Sequence, residues 1–337
     1  MRIAVDAMGG DYAPGEVIRG AVEFASQPDF DDEIILVGDS ARIEPIIAEF
    51  GAADNKRISI RHASESIAMD EHPAHAIRKK RDSSLVVCGE MVKSGEADGT
   101  MSAGNTGAAM AIAALNIGRI PGIDRPAIAT QMPTLKGNCL LLDAGANVDC
   151  TPQHLLQFAM MGSVYAEKVL GMPEPTVGLL SIGTEETKGN ELTKATHALL
   201  ANSSLRFKGN VEGKDVFEHT TDVVVCDGFV GNVLLKTSEG IAEMILGFLT
   251  NDLASLDPDV VQKLQPVIYG IVRKIDYAER GGAPLLGVNG VSVIAHGRSK
   301  ARAIASAIRI TLAAAKSNYV AEIKKELATS SGEKHAA

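Results

Sequence analysis

The chain has 337 residues, enough for one large domain or two ordinary ones, with 45% hydrophobic and 22% charged residues. That balance buries a full core and excludes a disordered or fibrous chain. The formal net charge of −9 argues against nucleic acid as the main partner. Cys88, Cys139, Cys150 and Cys226 show neither metal-like nor paired spacing, which predicts free thiols in a reducing cytoplasm. The chain starts on a strand-like stretch, so no signal peptide is expected, and no apolar run reaches the ~18 residues of a spanning helix.

Residues 2–5 read as a strand, followed by the loop Asp6-Ala7-Met8-Gly9-Gly10-Asp11. Pro14 opens a helix whose apolar face is Val17, Ile18, Ala21, Val22 and Ala25. Residues 33–37 form a second strand, Ile43, Ile46, Ile47 and Phe50 mark a second helix, and residues 58–62 form a third strand. This alternation predicts a mainly parallel sheet with helices on both faces. Residues 72–81 end in Arg78-Lys79-Lys80-Arg81, which is either a solvated helix end or a landing patch for an acidic partner or phosphate. Residues 85–92 are a further helix.

Strand-plus-loop units follow. Residues 99–102 lead into Ser102-Ala103-Gly104-Asn105-Thr106-Gly107 and a small-residue helix over 108–117. Residues 139–142 lead into Asp143-Ala144-Gly145-Ala146-Asn147, with Pro152 opening the next helix. Residues 177–182 lead into Gly183-Thr184-Glu185 and Lys188-Gly189-Asn190, with Leu192, Ala195 and Leu199 expected on one side of the helix that follows. Residues 223–226 lead into Asp227-Gly228-Phe229-Val230-Gly231-Asn232 and another helix. Residues 291–295 lead into His296-Gly297-Arg298-Ser299 and one long final helix. Five polar, glycine-bearing strand ends on one edge of a parallel sheet predict a ligand crevice. Some of their acids must only cap helices, Asp143 and Asp227 first among them.

The stretch from Ser181 to Asn190 is the most suggestive. A glycine-rich loop between a strand and a helix N-terminus is a natural anion site, and Lys188 adds a charge suited to phosphate. Taken alone, it also reads as a connection with one surface lysine. Among the histidines only His296, at a strand end, is a site candidate. Residues 240–277 interrupt the alternation as a helical hairpin, with Ile241, Met244, Ile245, Phe248 and Leu249 on one stripe. Val260, Leu264, Val267, Ile268, Ile271 and Ile275 form the other stripe, with a break expected at Pro266. The hairpin packs on the core or a second subunit, or lies on a membrane surface. Residues 1–329 are read as one α/β domain and 330–337 as a disordered tail. There is no G-x-G-x-x-G after the first strand, no P-loop, no H-E-x-x-H and no G-x-S-x-G.

These motifs, in this order from Met1 to about Ala315, resemble the bacterial phosphate acyltransferase family (PlsX type), which joins acyl-[acyl-carrier-protein] and phosphate into acyl phosphate. The resemblance implies a three-layer α/β/α sandwich like the isocitrate/isopropylmalate dehydrogenases and phosphotransacetylases, and a homodimer. It implies no cofactor and no metal. It implies an early step of phospholipid (phosphatidic acid) synthesis and peripheral contact with the inner face of the cell membrane through the hairpin, and it leaves room for the downstream glycerol-3-phosphate acyltransferase as partner. It assigns catalysis to Lys188 and Asn232. Gly104, Asn105, Gly107, Asn147, Thr184, Gly189, Asn190, Asp227 and His296 would bind phosphate or substrate, and Arg78, Lys79, Lys80 and Arg81 would dock the acidic carrier protein.

Overall fold

The computed structural model describes residues 1–275 and 281–333. The end of the expected hairpin, 276–277, and the last four tail residues, 334–337, lie outside them. The strands are β1 (Arg2–Asp6), β2 (Glu33–Gly38), β3 (Ile58–His62), β4 (Gly99–Ser102), β5 (Ala127–Ile128), β6 (Thr130–Thr134), β7 (Gly137–Leu142), β8 (Val177–Leu180), β9 (Phe207–Val211), β10 (Val223–Val225), β11 (Ala283–Leu286) and β12 (Val291–Ile294). The helices are α1 (Gly15–Ala25), α2 (Ser40–Glu49), α3 (Pro73–Lys79), α4 (Ser84–Ser94), α5 (Thr106–Ile112, continued by a π-turn over Ala113–Ile117), α6 (Pro152–Lys168), α7 (Glu191–Ala201), α8 (Gly213–Glu218), α9 (Gly228–Leu253), α10 (Pro258–Ile275), α11 (Ala301–Ser317) and α12 (Tyr319–Glu333).

The polar strand ends do not share one edge. They divide between a seven-stranded sheet, ordered β3-β2-β1-β4-β12-β11-β5, and a five-stranded sheet, ordered β6-β7-β10-β8-β9. Both are mainly parallel, with antiparallel pairing at β5–β11–β12 and β6–β7. The interior strands are apolar on both faces, as helices on both sides of a parallel sheet require. In β1, Ile3, Ala4 and Val5 are wholly buried and pair with Ile34, Ile35 and Leu36 of β2. One apolar cluster joins the sheets, holding Ile3 and Val5 together with Leu140, Leu142 and Val223.

Several local readings change. The strand read through Ile182 stops at Leu180, and Ile182 is exposed. On α7 the buried residues are Thr196 and Leu200, whereas Leu199 is exposed. The helix after β10 and the first arm of the hairpin are one element, α9, because Gly240 costs only ~1 kcal/mol in a helix interior and does not break it. α10 runs through Pro266 unbroken. The carbonyl that Pro266 leaves without a donor belongs to exposed Gln262, where water can meet it. The final helix is two, divided at Asn318, which adopts φ 55 as Asn tolerates. α12 then continues through Glu333, into the segment read as a tail. Tyr319, at its start, is buried edge-on against Tyr165 with ring centroids 5.4 Å apart.

Candidate active site

In the five-stranded sheet β10 lies between β7 and β8, and Val225 pairs with both Leu142 and Leu179. The loops after these strands therefore leave the sheet side by side, at steps of about 4.8 Å. The loop after β7 is organised by the Asp143 carboxylate, which is wholly buried. It accepts hydrogen bonds from the N–H groups of Ile128, Gly145, Ala146 and Asn147 and from Asn147 Nδ2. Burial raises its pKa, and those hydrogen bonds only partly offset the rise. The second hydrogen of Asn147 Nδ2 goes to Pro126 O at 2.7 Å.

The first turn of α9 packs directly on this loop. Gly228 N–H donates to Asn147 O at 2.7 Å. A Cβ at Gly231 would lie 1.9 Å from Asp143 O, so only glycine allows the approach. Asp227 caps the helix by accepting from Val230 N–H at 2.8 Å. Asn232 is thereby held over Gly145, whose missing Cβ would be 3.4 Å from Asn232 Oδ1. Asn232 is exposed, and its amide hydrogen-bonds to nothing among the described residues.

The loop after β8 is pinned by Asn210 Nδ2, which donates to Glu185 O at 2.8 Å. Gly189 has φ 103, and a Cβ there would meet Thr193 Oγ1 at 2.0 Å. Asn190 caps α7, its Oδ1 accepting from Thr193 N–H at 2.9 Å. The stem of Lys188 lies over Gly183. The Lys188 ammonium and the Thr184 hydroxyl are exposed and carry no protein partner among the described residues. Ser181 Oγ, at the start of the loop, and Asn210 Oδ1 are shielded polar atoms with no hydrogen bond.

The edge of the seven-stranded sheet is knotted to itself. Ser102 Oγ donates to Asp6 Oδ2 at 2.6 Å and accepts from Gly104 N–H at 3.0 Å. Burial raises the Asp6 pKa, against the hydrogen bonds of Ser102, Ser84, Met8 and Gly9. Asn105 Oδ1 caps α5 through Ala108 N–H, and Asn105 Nδ2 reaches the carbonyls of Ala68, Met69 and Glu71. Gly107 lies against Pro73 of α3, and Asp11 N–H donates to Gly297 O at 2.8 Å. His296 Nδ1 accepts from Arg298 N–H at 3.1 Å.

A polar cleft of about 310 Å³ lies between α9 and the loop after β12, lined by Lys236, Glu239 and Glu243 of α9 and by His296 and Arg298. Lys236 stands one helical turn beyond Asn232 and pairs with Glu239 at 2.8 Å. In the basic cluster, Lys80 is tied to Glu71 and to Ser66 O, and Arg78, Lys79 and Arg81 are exposed.

The structure thus brings Asn147, Thr184, Lys188, Gly189, Asn190, Asp227 and Asn232 to one edge. It places Gly104, Asn105, Gly107 and His296 on the other. The side chains of Asn105, Asn147, Asn190 and Asp227 are engaged in caps and loop braces. Sequence reasoning missed the bracing role of Asp6 and the cleft residues Lys236 and Arg298. The i, i+4 spacing of Asn232 and Lys236 was the available signal for one of these. Among the described residues no group of three His, Cys, Asp or Glu side chains is placed to hold a metal, and no helix is long and apolar enough to cross a membrane.

A family model described as fatty acid synthesis protein matches residues 1–322. A phosphate acyltransferase of Desulfitobacterium hafniense is 53% identical over 330 residues, covering 97% of this chain and 98% of that protein. Solved structures share the fold at low identity. A phosphotransacetylase from Streptococcus pyogenes superposes with TM-score 0.61 at 19% identity, covering 94% of each chain. A 4-hydroxythreonine-4-phosphate dehydrogenase from Klebsiella pneumoniae superposes with TM-score 0.55 at 12% identity, covering 93% of this chain and 97% of that one. By the family match and by its identity to curated relatives over nearly its whole length, the chain belongs to the phosphate acyltransferase (PlsX) family and is an acyltransferase.

Proposed function

We propose that the protein moves a long-chain fatty acyl group from acyl-[acyl-carrier-protein] to inorganic phosphate, supplying acyl phosphate for phosphatidic acid synthesis. The observation that carries this reading is that Lys188, on the loop after β8, and Asn232, in the second turn of α9 after the neighbouring β10, are both left without a protein partner among the described residues. A phosphate oxygen attacks the thioester carbonyl carbon, forming the C–O bond. The tetrahedral oxyanion collapses, the C–S bond breaks, and the departing thiolate takes a proton from solvent. Phosphate is already a nucleophile near neutral pH, so the protein's task is to hold it and to stabilise the oxyanion. Lys188 neutralises phosphate charge, and the α9 and α7 N-termini add their dipoles. The Asn232 amide donates to the oxyanion or orients phosphate. Thr184 and Gly189 line the phosphate side. Asn147, Asn190 and Asp227 act through the loops they brace.

The exposed cations Arg78, Lys79 and Arg81 suit an acidic carrier protein, with Lys80 fixed beneath them by Glu71. Charge reversal at Arg78 and Lys79 should raise the KM for the carrier-bound donor, and salt should do the same. The hairpin keeps Ile241, Met244, Ile245 and Phe248 exposed on α9, and Val260, Leu264, Val267 and Ile271 on α10. Apolar surface of this extent supports a homodimer and peripheral contact with the inner face of the membrane, close to the acyltransferase that consumes the product.

The test is thiol release from palmitoyl-carrier protein and from acetyl-coenzyme A, with and without phosphate. Phosphate-dependent release that favours the palmitoyl donor is the expected result. Release without phosphate would mean a hydrolase, and a preference for acetyl-coenzyme A would make the protein a short-chain phosphotransacetylase.

A further inference from the structure

Large exposed apolar side chains share the strand ends that carry Lys188 and Asn232. Val148 is 60% exposed, Ile182 80%, Phe229 61% and Val233 50%. They come from the loops after β7 and β8 and from the first turns of α9. Val148 follows Asn147 and Phe229 follows Gly228, so the two flank a single 2.7 Å hydrogen bond between Gly228 N and Asn147 O. Val233 follows Asn232 and stands one helical turn beyond Phe229. Ile182 precedes Gly183, over which the Lys188 stem lies.

Scattered exposed apolar residues need no explanation. Four of them on three neighbouring strand ends, beside polar side chains that lack protein partners among the described residues, form a strip that calls for an apolar cover. Side chains of this size offer at most a few hundred Å², short of the ~800 Å² per partner of a stable protein interface. A strip of that scale, ending on polar groups, matches one molecule with an apolar tail and a reactive polar head. An acyl donor is such a molecule.

We propose that Val148, Ile182, Phe229 and Val233 seat the acyl chain from the reacting carbonyl outward, over a stretch longer than a butyryl tail can fill, and so set the preference for long over short acyl donors. The proposal rests on the reading of the protein as a thioester phosphorylase. Each seated methylene is worth ~0.8 kcal/mol, about 4-fold in an equilibrium.

The experiment compares kcat/KM for phosphate-dependent thiol release from palmitoyl- and butyryl-carrier protein in the wild type, Phe229→Ala and Val233→Gln. The palmitoyl-to-butyryl ratio should fall ~10-fold or more in each variant. A ratio that stays put, whether both rates hold or both fall, overturns the proposal. If the ratio holds while sedimentation shows a changed oligomeric state, the strip belongs to a contact between copies. Titration with a fluorescent long-chain fatty acid reads the strip without turnover and should weaken ~10-fold in both variants. Absent or unchanged binding counts against the seat. A wild type that binds the probe but releases no thiol with phosphate would instead sink the phosphorolysis reading and leave the seat standing.

Discussion

The edge formed by the loops after β1, β4 and β12 and the edge formed by the loops after β7, β8 and β10 draw on the same residues: Gly, Asn, Asp, Ser and Thr. On the first, Asp6 and Ser102 tie the loops after β1 and β4 together, and Asn105 holds the segment between β3 and α3. On the second, Asp143, Asn147, Asn190 and Asp227 do the same bracing, and Thr184, Lys188 and Asn232 are left open among the described residues. Polar strand ends therefore mark where a loop must be held. What marks a binding edge is the polar group that the holding does not consume.

The largest effect should come from removing the brace of the second edge. Asp143→Ala strands the buried N–H of Ile128 and the partly buried N–H groups of Gly145, Ala146 and Asn147 and should cost ~3–5 kcal/mol, read as a lowered urea midpoint. A loss under 1 kcal/mol would mean that the loop is held by something else. Lys188→Ala should leave the melting temperature nearly unchanged and lower kcat/KM for phosphate ~10–100-fold, the worth of one charge-assisted contact. Unchanged phosphate kinetics would remove Lys188 from the chemistry.

Asn105 is expected from the sequence to bind phosphate or substrate and Asn232 to act in catalysis, and it is the family resemblance, not the chain order, that separates them. Both follow a strand and a glycine-bearing turn; Asn105 caps α5, and Asn232 lies in the second turn of α9. The difference appears only when residues 68–71 fold back to offer carbonyls to Asn105 Nδ2, a contact between segments 34–37 residues apart. Periodicity does carry the parallel strands and the α1 face, and capping chemistry carries Asp227; Asp143, also expected as a cap, braces its own loop instead. Periodicity does not show that β12 inserts beside β4, which takes His296 away from Lys188 to the other sheet. Nor does it show that Gly228 and Gly231 press α9 onto a neighbouring backbone, the step that aims Asn232.

The smallest effect concerns Asp6. Burial raises its pKa in the fold above the ordinary carboxylate value of ~3.9 in the unfolded chain. Between those two values the folded state binds more protons, so this group's contribution to stability falls as pH rises and is constant above the folded value. The stability difference between wild type and Asp6→Asn should therefore drift against the wild type as pH rises from 4 to 7. A difference independent of pH would mean that Asp6 titrates as an ordinary carboxyl.

The most direct measurement pairs the two asparagines, Asn232→Ala and Asn105→Ala, each followed by phosphate-dependent thiol release and by thermal unfolding. Asn232→Ala should lose ~10²–10³-fold in rate with stability within ~0.5 kcal/mol of wild type. Asn105→Ala should lose ~1–3 kcal/mol of stability while its folded fraction turns over within a few-fold of wild type. The reverse pattern, with Asn105 controlling the rate and Asn232 the stability, would contradict the assignment of chemistry to the side chains that folding leaves open.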